Sequence, residues 1–72
     1  MTKAFLLTKF GKRIAELREQ QGISQSELAR RSGKDRQNIN RLEKGAINPT
    51  LFQLTEIAKA LNVSLPELLD MK

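Results

Sequence analysis

The side chains best placed to do chemistry in this sequence are Arg36, Gln37, Asn40 and Arg41. On a helix turning about 100° per residue, with Arg36 at zero, Asn40 falls at about 40°, Gln37 at about 100° and Arg41 at about 140°. Ile39 and Leu42 fall on the opposite side, at about 300° and 240°. Such a helix buries Ile39 and Leu42 and presents the four polar residues together. Arg forks onto guanine O6 and N7, and Gln or Asn pairs with adenine N6 and N7, so the chemistry expected of this face is contact with base edges in duplex DNA. A plain solvated face is the alternative, and it would more often carry Glu and Lys, which this quartet lacks. Catalysis has little to work with. The chain holds no Cys and no His, hence no thiolate, no imidazole base and no Cys/His metal site. Its eight carboxylates are dispersed without a nucleophile or ligand partner. No catalytic residue, no metal and no cofactor is expected.

The elements that must position this face are helical throughout. No stretch alternates like a strand, and no Asn-Gly hairpin signal occurs. A first helix is expected from about Thr8 to Gln20 or Gln21, with Phe10, Ile14 and Leu17 on one face and Gly22 as its stop. Ser24-Gln25-Ser26-Glu27 reads as a capping box opening a second helix, which buries Leu28 and Ala29 and closes before Gly33. Asp35 caps the third helix, which ends before Gly45. After the break at Asn48-Pro49, a second box, Thr50 to Gln53, starts a fourth helix to about Leu61, with Leu51, Leu54, Ile57, Ala58 and Leu61 inward. Ser64 to Glu67 opens a short fifth helix carrying Leu65, Leu68 and Leu69. Phe10 and Phe52 are both assigned to core faces, which leaves no stacking platform for RNA.

Seventy-two residues allow one all-α domain over 1–72, and a chain this small is marginal unless its helices pack well or it oligomerises. The formal charge is +5, unevenly spread: residues 1–45 hold 11 basic and 5 acidic side chains, residues 46–72 only 2 and 3. Charge alone leaves two readings open, a surface for a polyanion or a solvated basic face kept for solubility. No apolar run is long enough to span a membrane or serve as a signal-peptide core, and no basic helix carries aromatic membrane anchors, so a cytoplasmic protein without membrane contact is expected.

Residues 25–44 form two short helices joined by a turn at Gly33, the layout of a helix-turn-helix, with 34–44 as the turn end and recognition helix. Gly33 tolerates the backbone angles of the turn, and Ala29 offers a small contact residue. Ser24-Gln25-Ser26-Glu27-Leu28-Ala29, Gly33, Arg36-Gln37-x-Ile39-x-Arg41-Leu42-Glu43-x-Gly45, and then Pro49, Leu54, Ala58, Leu61 and Leu65 together resemble the Cro/phage-repressor, or Xre, type of helix-turn-helix over residues 24–70. The resemblance implies a compact five-helix, lambda-repressor-like domain that regulates transcription, as a probable repressor and homodimer on an inverted-repeat operator in double-stranded DNA. It implies base contacts from Gln37 and Arg41, with Arg36 and Asn40 beside them. It implies phosphate contacts from Ser24 and Gln25 at a helix N-terminus, which suits an anion, and from Asn38, Lys44 and Asn48. It also implies a partly buried ion pair, Arg18 with Glu43, acting as scaffold.

Two positions depart from the family pattern. An apolar residue usually follows the turn glycine; Lys34 stands there, and it is expected to point to solvent or phosphate. Asp35 replaces the common Ser or Thr, as a helix cap or as an acceptor from cytosine N4, the cap being favoured. Met1 to Leu7 is read as an N-terminal extension whose Phe5, Leu6 and Leu7 either fold back or cross to a partner subunit. Leu65, Leu68, Leu69 and Met71 offer a second apolar patch for dimerisation. Phage repressors, restriction-modification controllers and antitoxins all remain open, the last adding a toxin partner; an adaptor that binds only protein is the alternative from another class. No small-molecule ligand is expected, and the protein should sit on the nucleoid.

Overall fold

The structure, a computed structural model, describes residues 1–71. Five helices run in order: α1 (Lys3–Gln20), α2 (Gln25–Ser32), α3 (Arg36–Glu43), α4 (Leu51–Ala60) and α5 (Leu65–Leu68). No strand occurs among the described residues.

Local capping decides where each helix starts. The Thr2 hydroxyl accepts the Phe5 N–H at 3.0 Å, so α1 begins at Lys3 rather than near Thr8, and residues expected as an extension are its first turns. No breaker intervenes between that cap and Gly22. At α2 the Ser24 Oγ accepts the Glu27 N–H at 3.0 Å, but the reciprocal half of the expected capping box is missing. The Glu27 carboxylate instead takes Arg30 Nε at 3.1 Å and Arg31 Nε at 2.8 Å, because two guanidinium groups one turn on attract it more strongly than one amide. Both boxes further along are complete, Thr50 with Gln53 and Ser64 with Glu67.

The core draws on every helix. Ile14, Leu28, Ile39, Ile57, Leu61 and Leu68 are wholly buried, each worth roughly 1.5–3 kcal/mol of transfer free energy. Leu51 and Phe52 are corrections: they are 68% and 70% exposed, because nothing among the described residues covers the first turn of α4. The apolar register of α4 meets the core only from Leu54 onward, and Phe52, expected on a core face, lies on the surface where its ring is open to stacking.

Two glycines set the approach of the helices to α3. Gly33 takes φ +69°, ending α2 with a left-handed residue. Its neighbour's amide, Lys34 N–H, reaches back to the Ala29 carbonyl at 2.9 Å and closes the turn. Gly11 lies inside α1 against the C-terminal end of α3. A Cβ there would stand 2.5 Å from the Leu42 oxygen and 2.7 Å from the Glu43 carbonyl carbon, so only glycine permits the approach.

Candidate nucleic-acid interface

The recognition helix α3 is held first by its own cap: Asp35 Oδ1 accepts the Asn38 N–H at 2.7 Å. With Ile39 and Leu42 buried, Arg36, Gln37 and Arg41 stand exposed, and none of the three makes a side-chain hydrogen bond or ion pair among the described residues. Lys44, just past the helix end, is likewise exposed and unpaired among the described residues. Asn48 is exposed in the loop before α4.

Asn40 does not stand fully with that face. It is half-buried, and its amide points to Gln25 Oε1 at 3.5 Å, the limit of a hydrogen bond. Gln25 Nε2 in turn donates to Glu43 Oε1 at 3.0 Å. Glu43 is gripped by Arg18 through Nε to Oε2 at 2.7 Å and NH2 to Oε1 at 3.1 Å, while Arg18 NH1 donates to the Ile23 carbonyl at 3.0 Å. The hydrogen bonds it donates to the Glu43 carboxylate hold the Arg18 guanidinium above its ordinary pKa. One network therefore joins α1, the start of α2 and the end of α3, and it neutralises the only carboxylate on the recognition helix. Asn38 is half-buried, with its Oδ1 buried and without a partner among the described residues.

Of the residues expected at phosphates, Ser24 uses its hydroxyl to cap α2 and Gln25 is engaged with Glu43. Lys34 is a correction. It does not point to solvent: its side chain is 10% exposed, and Nζ sits 2.8 Å from Glu56 Oε1 on α4. The ammonium fills the usual apolar position after the turn because α4 offers a carboxylate there. Further out on α2, Arg30 and Arg31 hold the Glu27 carboxyl down to about 2 by hydrogen bonding.

Two contributors escaped the sequence reading. Gly11 carried a signal, since a glycine inside a helical pattern costs ~1 kcal/mol against alanine and calls for a packing reason. Glu56 carried none, because its partner lies 22 residues away on another element.

Comparison with known proteins places this geometry. A helix-turn-helix family profile matches residues 14–68. The uncharacterized HTH-type transcriptional regulator y4dJ of Sinorhizobium fredii is 45% identical over 58 residues, covering 81% of this chain and 75% of that protein. The restriction-modification controller protein C.AhdI of Aeromonas hydrophila superposes with a TM-score of 0.84 at 42% identity, over 86% of this chain and 94% of its own. The controller C.Esp1396I, solved as a tetramer with its natural 35-base-pair operator, superposes with a TM-score of 0.82 at 37% identity, over 90% of each chain. Among the described residues no helix is long and apolar enough to cross a membrane. The matched span contains the whole interface just described, and the chain belongs to the helix-turn-helix family.

Proposed function

We propose that this chain is a sequence-specific, non-enzymatic regulator of transcription that binds an inverted repeat in duplex DNA as a homodimer, most simply as a repressor. One observation carries the reading: among the described residues Arg36, Arg41 and Lys44 are unpaired cations on or beside α3, while its single carboxylate, Glu43, is tied down by Arg18 and Gln25. Beyond the Asp35 cap, the helix face offered to a ligand is cationic and amide in character, which suits guanine and adenine edges flanked by phosphate.

Gln37 and Arg41 would read bases, with Arg36 reaching a base or a phosphate and Asn40 contributing only if it leaves Gln25. Lys44, Asn38, Asn48 and the open amides at the start of α2, beside Ser24 and Gln25, would hold the sugar-phosphate backbone. The apolar hollow lined by Leu6, Leu7, Phe10, Leu69 and Met71 unites the α1 start and the chain's end in one surface, the natural dimer contact. A symmetric pair would set two recognition helices about one DNA turn, ~34 Å, apart. The relative solved as a tetramer with its natural 35-base-pair operator supports binding of duplex DNA by an oligomer. Such a protein would work in the cytoplasm, on the nucleoid.

The test is selection of random duplex DNA on the purified protein, followed by binding across salt concentrations. An enriched inverted repeat with half-sites about one turn apart is expected. Steep salt dependence without an enriched motif would reduce the face to a non-specific polyanion surface. Binding to no DNA at any salt would refute the reading and point to a protein partner.

A further inference from the structure

Lys34 occupies a junction. Its amide closes α2 on the Ala29 carbonyl at 2.9 Å, and the next residue, Asp35, caps α3 through the Asn38 N–H at 2.7 Å. Its side chain crosses to a third element, where Nζ meets Glu56 Oε1 at 2.8 Å with the Lys34 side chain 10% exposed. The path from α4 to the first turn of the recognition helix therefore runs through two consecutive residues, Lys34 and Asp35. At the other end of α3, Arg18 and Gln25 hold Glu43. Apolar burial is non-directional, whereas an ammonium–carboxylate bond has a preferred length and direction. A lysine spent in this way is also withheld from phosphate, although its charge and position in the turn suggest that use.

We propose that Lys34 and Glu56 are positioning residues for base readout: their ion pair fixes the turn that aims α3, and Lys34 contributes no phosphate contact. The inference rests on the DNA-binding reading above. Exposed ion pairs are worth little, but this one is largely enclosed on the lysine side, and its work is angular. Moving the N-terminal end of α3 displaces Arg36 and Gln37 together, so base preference should respond more than overall affinity.

The experiment compares Lys34→Met, Glu56→Gln and the double variant in the full chain, each titrated with the selected operator and with unrelated duplex at several salt concentrations. Each single variant should lower the operator-over-unrelated ratio by about two- to thirtyfold, and the double variant by no more than either single one. The slope of log affinity against log salt should not change. Lys34→Arg, which keeps the pair, should keep the ratio. A merely structural loss would weaken both duplexes alike through the folded fraction, leaving the ratio intact, and would overturn the proposal. A slope reduced by about 0.9 in Lys34→Met, with Glu56→Gln unaffected or tighter, would make Lys34 a phosphate ligand and also overturn it. Exchange of the hydrogen-bonded Lys34 and Asn38 amides without DNA is the independent arm. It should quicken in both single variants, and unchanged protection would sink the proposal even if the wild-type protein selected no DNA motif. Absence of a wild-type motif with quickened exchange would instead refute the DNA reading while retaining the turn anchor.

Discussion

Replacing Gly11 by alanine should destabilise the protein, although helix propensity alone argues the reverse. In an unobstructed helix interior the change stabilises by about 1 kcal/mol. Here the new Cβ would stand 2.5 Å from the Leu42 oxygen and 2.7 Å from the Glu43 carbonyl carbon, against an ordinary contact of 3.4 Å or more. Both obstacles are backbone atoms, so no rotamer change relieves them. α1 and α3 must separate by roughly 1 Å, loosening a close-packed interior around Ile14 and Leu42. Overpacking of this kind costs ~1–3 kcal/mol, occasionally more. With the upper part of that range appropriate for a backbone obstacle, the net after propensity is about 2 kcal/mol of lost stability. For a domain of this size that lowers Tm by ~8–16 °C. Gly33→Ala is the control, since it meets nothing within 4 Å and suffers only from φ +69°, at a cost of about 1 kcal/mol. Thermal and urea unfolding followed by circular dichroism at matched protein concentration would measure both. A Gly11→Ala protein as stable as wild type, or more so, would refute the reasoning, because the sign itself depends on the close approach of α1 to α3.

Arg18→Met should cost about 3 kcal/mol by leaving Glu43 buried without its partner, and a further Glu43→Leu change should recover much of the loss in the same unfolding assay. Gln37→Ala and Arg41→Ala should each weaken operator binding by about 1–3 kcal/mol and relax preference at particular base pairs, whereas Lys44→Ala should weaken all duplexes alike and flatten the salt slope; quantitative titration on single-base operator variants separates the two. The Glu27 carboxyl is lowered from 4.5 to about 2 by Arg30 and Arg31. A depressed acid adds stability that is complete above its unfolded pKa and lost as pH falls through the folded one, so Glu27→Gln should flatten the pH dependence of unfolding between about 4.5 and 2. Leu69→Asp should dissociate the proposed dimer, read as a sedimenting mass near 8.2 kDa; an undisturbed dimer would move the interface away from the Leu6–Leu69 surface, with the exposed Leu51 and Phe52 as the next site to test.

Five helices, their caps at Ser24, Asp35, Thr50 and Ser64, and the sided character of α3 were legible in the sequence, because each depends on contacts no more than about one turn long. Ile39 and Leu42 had to face inward once Arg36, Gln37 and Arg41 faced out. The Arg18–Glu43 pair was legible only through the family resemblance, since 25 residues separate its members. Tertiary structure decided the rest. Lys34 looked free until α4 brought Glu56 beside it, and Asn40 shared a wheel face with Arg36 until Gln25 approached it from α2. Leu51 continued an apolar register that no described element covers, and the need for glycine at position 11 arises only where the end of α3 crosses α1. Periodicity states which direction a side chain leaves its own helix; what waits for it there depends on how the helices cross, and that is a property of the packed core as a whole.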